Sequence, residues 1–74
     1  MAKYNGYPSW NAWNVSLWIN NTESLYRYAL AMVQEHGVMM AARYLSEDWK
    51  GKRTPDGAKY NRRSIYLAIR DMRD

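Results

Sequence analysis

Lys50, Lys52, Arg53, Lys59, Arg62 and Arg63 fall within fourteen residues, with Tyr60 among them. Lysine and arginine neutralise phosphates and release the counterions condensed on them, while a tyrosine stacks on an unpaired base. That is the chemistry of holding a polyanion, either a nucleic acid or the acidic surface of a protein. Further on, Arg63 and Arg70 stand seven apart on one predicted helix face with Tyr66 between them. The charge is unevenly spread: residues 1–49 sum to −1 and residues 50–74 to +5, within a net +4. A solvated charged face is the plainer reading of such a run, partly neutralised by Asp71 and Asp74. The candidate residues for binding nucleic acid or an acidic surface are therefore Lys50, Lys52, Arg53, Lys59, Tyr60, Arg62, Arg63 and Arg70.

Covalent chemistry has little to work with. His36 is the sole histidine, and there is no cysteine, so disulfides and thiolate metal sites are excluded. His36 falls in the last turn of a predicted helix, where a cation meets the helix dipole favourably. No positioned nucleophile or orienting carboxylate accompanies it, as a general base would require. Glu35, Glu47 and Asp48 read as surface carboxylates rather than an acid pair. Gly51-Lys52-Arg53-Thr54 lacks the first glycine and the spacing of a phosphate loop. The expectation is a protein that is not an enzyme, with no catalytic residue, metal or cofactor.

The aromatic residues carry the apolar weight. Leu, Ile and Val total only 11 of 74 residues, and Phe is absent, but there are four Trp, seven Tyr and five Met. Each aromatic buries roughly 150–250 Å², so a core is attainable if the tryptophans enter it. Trp10, Trp13 and Leu17 are read as core. A domain this small cannot hide eleven Trp and Tyr side chains, and these residues dominate protein interfaces. Tyr4, Tyr7 and Trp18 are accordingly the candidate partner-binding face, for a host protein or for a second copy in a homodimer.

The elements that must position these residues are helices. Ser9 can cap a first helix in which Trp10, Trp13, Leu17 and Trp18 form a stripe. After Asn20-Asn21-Thr22, a second stripe runs through Leu25, Tyr28, Ala29, Met32 and Val33 to Gly37, placed as a C′ residue. Val38, Ala41, Ala42, Leu45 and Trp49 form a third, closed by Gly51. Thr54-Pro55-Asp56-Gly57 reads as a type I turn. Asn61 caps a last helix, predicted through residue 73, whose Ile65, Ala68, Ile69 and Met72 keep helical spacing. A helix-turn-helix through Gly37 fits poorly, because Arg43 falls where an apolar residue should pack. Residues 1–74 are predicted to form a single all-α domain of about four short helices, with an irregular N-terminal segment and a basic loop before the last helix. The longest apolar runs, residues 29–33 and 38–42, are far below the roughly 18 residues of a membrane helix. With no apolar stretch near Met1 resembling a signal peptide, the expected setting is the cytoplasm, away from membranes.

Two stretches also carry a resemblance. Tyr4-Asn5-Gly6-Tyr7, then Trp13-Asn14-Val15-Ser16-Leu17-Trp18-Ile19-Asn20-Asn21, and later Thr54-Pro55-Asp56-Gly57 with Tyr60, resemble a group of small uncharacterised phage and prophage proteins. Those proteins open on Tyr-Asn-Gly-Tyr, continue with Trp-Asn-Val-Ala-Leu-Trp-Ile and start their next helix with Asn-Asn-Asp-Glu. Thr22 departs from that pattern, as does the basic last helix. The resemblance implies origin on a mobile element and life in an infected bacterial cytoplasm, and it carries over no functional residue. It leads to the expectation of a small binding protein that modulates a host protein or defence complex by occupying its surface, as an anti-CRISPR or anti-restriction inhibitor does. The alternative is a basic DNA- or RNA-binding module using the 50–63 loop and last helix.

Overall fold

A computed structural model describes residues 5–72 and contains three helices: α1 (Trp10–Asn21), α2 (Glu23–Asp48) and α3 (Arg62–Ile69). The all-α reading holds. The second and third predicted helices are the two arms of α2, residues 23–36 and 38–48, separated at Gly37 by a non-helical backbone of φ 82° and ψ 163°. An unbroken helix would hold Tyr28 and Asp48 about 30 Å apart. Instead the Tyr28 hydroxyl donates to Asp48 Oδ2, and the Tyr28 and Trp49 rings lie 6.2 Å apart. The arms therefore fold back on one another. The hydrogen bond to the Asp48 carboxylate holds the Tyr28 phenol above its ordinary pKa.

Local chemistry sets the helix ends. Ser9 Oγ accepts from the Ala12 amide at 3.1 Å, and Asn61 Oδ1 accepts from the Ser64 amide at 2.9 Å. Both are the predicted caps. Thr22 begins α2 without a side-chain cap. α3 stops at Ile69, short of the predicted span, and the turn at Arg70-Asp71 still brings Met72 into the core.

The buried centre joins Val15 and Ile19 of α1 to Ala29, Ala41, Ala42 and Leu45 of α2 and to Ile65, Ala68 and Ile69 of α3, with Trp49 and Ala58 from the connection. α3 packs on both other helices. Five of these residues are alanines, which lets the backbones approach closely. The radius of gyration, 11.3 Å, equals the roughly 11 Å expected of a compact chain this long.

α1 departs from expectation. Its inward face is Ala12, Val15, Ser16 and Ile19, while Trp13, Leu17 and Trp18 are half-buried and Trp10 is exposed. The tryptophan stripe is thus rotated off the core. Close helix packing leaves room for small and β-branched residues at the contact, and the large rings cover its flanks.

Candidate functional site

The connection from α2 to α3 folds onto itself. The Gly57 amide donates to the Thr54 carbonyl at 2.8 Å, closing a turn around Pro55 and Asp56, and the Thr54 amide donates to the Ala58 carbonyl at 2.9 Å. Arg53 and Lys59 pair as an isolated antiparallel bridge. Gly57 has φ +98°, the left-handed residue that a type I turn needs to lead into a small hairpin.

Polar side chains of α1 dock this hairpin. Asn14, 1% exposed, accepts from Thr54 Oγ1 at 2.6 Å and donates to Asp56 Oδ2 at 2.9 Å. Trp18 Nε1 donates to the same carboxylate oxygen at 2.9 Å. Asn11 clamps the other strand, accepting from the Lys59 amide at 2.8 Å and donating to its carbonyl at 2.9 Å and to Ser64 Oγ at 2.8 Å. Among the described residues no buried side-chain nitrogen or oxygen lacks a partner. The two stretches that stood out in the sequence, around Asn14 and around Asp56, are therefore two halves of one polar joint.

The hydrogen bonds from Asn14 and then Trp18 hold the Asp56 carboxyl below its ordinary pKa. A carboxylate with a lowered folded-state pKa contributes stability that is whole above about pH 5. That contribution shrinks as pH falls through the ordinary Asp value near 4 and is lost below the lowered folded-state value. Melting temperatures of the wild type should therefore fall between about pH 5 and pH 2 by more than those of Asp56→Asn, whose side chain does not titrate. Parallel curves would show that Asp56 makes no such contribution.

What the joint positions is a cationic cleft of about 470 Å³ between the end of α2 and the start of α3. Lys50, Lys52, Arg53, Lys59 and Arg62 line it with Tyr60, facing a single carboxylate, Glu47. Six of the eight predicted polyanion-binding residues thus meet in one concavity. None of the five cations makes an ion pair among the described residues, although Arg53 Nη1 donates to the Gly57 carbonyl at 3.0 Å. Glu47 lies 3.9 Å from Arg43 of its own helix. Burial raises the Tyr60 phenol above its ordinary pKa. Its ring packs edge-on against Trp49, with centroids 5.2 Å apart.

The remaining candidates lie elsewhere. Arg63 lines a separate groove with Met39, Ala42 and Tyr66, and Arg62 borders both cavities. Arg70 caps the far end of α3. Tyr7 is half-buried, its hydroxyl 2.7 Å from Ser16 Oγ. Trp18 is engaged by Asp56, and Tyr4 lies outside the described residues. Among the described residues, the large apolar side chains that stand exposed are Trp10, Tyr28, Met39 and Met40, with Met39 at 64%. His36 packs on Tyr44 at the end of the first arm, and among the described residues no group of three His, Asp or Glu could hold a metal. No helix of the described residues is long and apolar enough to cross a membrane.

Asn11, Asn14, Thr54 and Asp56 were not among the candidate residues. The available signal was asparagine in the middle of a helix, where it is a poor helix former and needs another reason to be present.

A sequence model of a family of unknown function, DUF7249, matches residues 1–74. The chain belongs to that family. No curated protein and no solved structure matches it. The match spans both halves of the polar joint and every residue of the cationic cleft.

Proposed function

We propose that this protein is a binding protein without catalytic activity, that its working surface is the cleft of Lys50, Lys52, Arg53, Lys59, Tyr60 and Arg62, and that the cleft holds the backbone of a nucleic acid. The observation that carries this reading is the convergence of five cations on one concavity with a single opposing carboxylate. Like charges so placed repel one another, and a polyanion relieves that repulsion while releasing its own counterions. The polar joint supports the same reading, because it holds Arg53 and Lys59 at fixed positions on a hairpin.

The setting we propose is the bacterial cytoplasm during phage infection, on the strength of the resemblance to phage and prophage proteins. There the protein modulates a host defence complex that handles nucleic acid, of the restriction or CRISPR type, by occupying a surface. A second reading, direct docking on a host protein or a second copy, draws on the exposed Trp10, Tyr28, Met39 and Met40.

Oligonucleotide anisotropy at salt concentrations from about 50 to 200 mM tests the cleft. Five phosphate contacts give a log–log slope of about −3.5 on a single strand and about −4.5 on a duplex. Replacing Lys52, Arg53, Lys59 and Arg62 together by Ala should bring the single-strand slope to about −0.7. Absence of binding at the lowest salt, or a slope unmoved by the four substitutions, would overturn the reading.

A further inference from the structure

The cationic cleft does not end at its charged walls. Lys52, Arg53 and Tyr60 also line a second, smaller pocket of about 180 Å³, whose remaining walls are Leu25 and Trp49. The two cavities thus form one site that shares its cations and an aromatic side chain: Lys52, Arg53 and Tyr60 stand at the seam, and Leu25 and Trp49 complete the smaller part. A ligand that carries anionic groups directly beside a flat ring matches that arrangement.

We infer that the small pocket receives one unpaired base of a single-stranded nucleic acid while the adjoining phosphates lie in the cleft. This rests on the reading of the cleft as a nucleic-acid site and narrows it to strands whose bases are free. At about 180 Å³ against about 470 Å³ for the cleft, the pocket is the smaller part of the site, with room for one ring system. Tyr60 and Trp49 supply aromatic wall, and base–aromatic contact is tolerant of sequence because every base has a π-face. Tyr60 borders both cavities, so a base seated against it leaves its own phosphates within reach of Lys52 and Arg53. A base inside a duplex is stacked on both sides and reaches such a pocket only by leaving the stack.

The test changes the ligand before it changes the protein. A short labelled oligothymidylate is compared with an abasic strand of equal length, which carries the same phosphates and no bases, at about 50 mM salt. The intact strand should bind on the order of ten-fold more tightly, with the same salt slope. Leu25→Trp, which fills the pocket, should abolish that difference and leave the abasic strand's affinity unchanged. Equal affinity of the two strands for the wild type would overturn the inference while leaving the cleft as a backbone-binding surface. Failure of both strands to bind would overturn the cleft reading itself. The comparison of strands on wild-type protein stands even if the Leu25 variant does not fold.

Discussion

Asn14→Ala should unfold this domain at a temperature roughly 15 °C lower than the wild type, for a loss of about 3 kcal/mol. Asn14 is buried and spends its amide in both directions, accepting from Thr54 and donating to Asp56. Alanine removes both bonds and leaves the buried Thr54 O–H without an acceptor, while the Thr54 oxygen keeps its bond from the Ala58 amide at 3.0 Å. An orphaned buried polar group costs about 1–3 kcal/mol by itself. Asn20→Ala is the control, since Asn20 is exposed and bonds only within its own helix. It should stay within about 0.5 kcal/mol. Thr54→Val in the Asn14→Ala background should cost less than in the wild type, because its partner has already gone. Urea denaturation of the wild type, the three single variants and the double variant reads all of this. A single Asn14→Ala change below about 0.5 kcal/mol would mean that the hairpin is not held through α1.

Gly37→Ala should cost about 1–3 kcal/mol for a reason that involves no contact at all. A Cβ at position 37 would meet nothing within 4 Å, yet φ 82° with ψ 163° is a conformation open essentially to glycine alone. Alanine is also the best helix former, so it favours the competing state in which the arms run on as one helix. Twenty-six residues of continuous helix are about 39 Å long and cannot return Leu45 and Trp49 to the core of the same molecule. A second copy can complete that core, so the variant should show a dimer at high concentration, exchanged through α2. D-alanine at position 37, introduced by chemical synthesis, prefers positive φ and should restore stability or exceed it by up to about 1 kcal/mol. Sedimentation and thermal melts of the two variants decide the matter. A monomeric, fully stable L-alanine variant would mean that the hinge conformation is not required.

Much of this architecture is legible in the amino-acid order. The stripe at Ile65, Ala68, Ile69 and Met72 is buried as spaced, and so are Ala41, Ala42, Leu45 and Trp49. The caps at Ser9 and Asn61, the break at Gly37 and the turn at Pro55-Asp56 follow from residue chemistry a few positions wide. The inward face of α1 is not legible in this way, because hydropathy counts Trp as inward whatever room the partner helix leaves. Three alanines on α2 and one on α3 bring the backbones near, and Val15 and Ile19 fit where Trp13 does not. The polar joint is invisible to local patterns because its partners lie about forty residues apart. The cleft was half legible. Its cations are adjacent in sequence, but Leu25 of the small pocket beside it comes from the first arm of α2 and required the hinge.

The joint between α1 and the hairpin also has a kinetic meaning. Its bonds connect residues 11–18 with residues 54–64, so none can form until the intervening chain has been brought round. The turns within α2 need no such closure, and ordering the long loop costs entropy before any of those bonds repays it. The helical hairpin of α2 therefore has the lower closure cost, and the expected order is α2 first, with the joint closing after the rate-limiting barrier. Lesions there should quicken unfolding and leave the folding rate nearly unchanged. On that expected order the segment carrying Arg53 and Lys59 locks last and releases first, and the cleft lasts only as long as that lock holds.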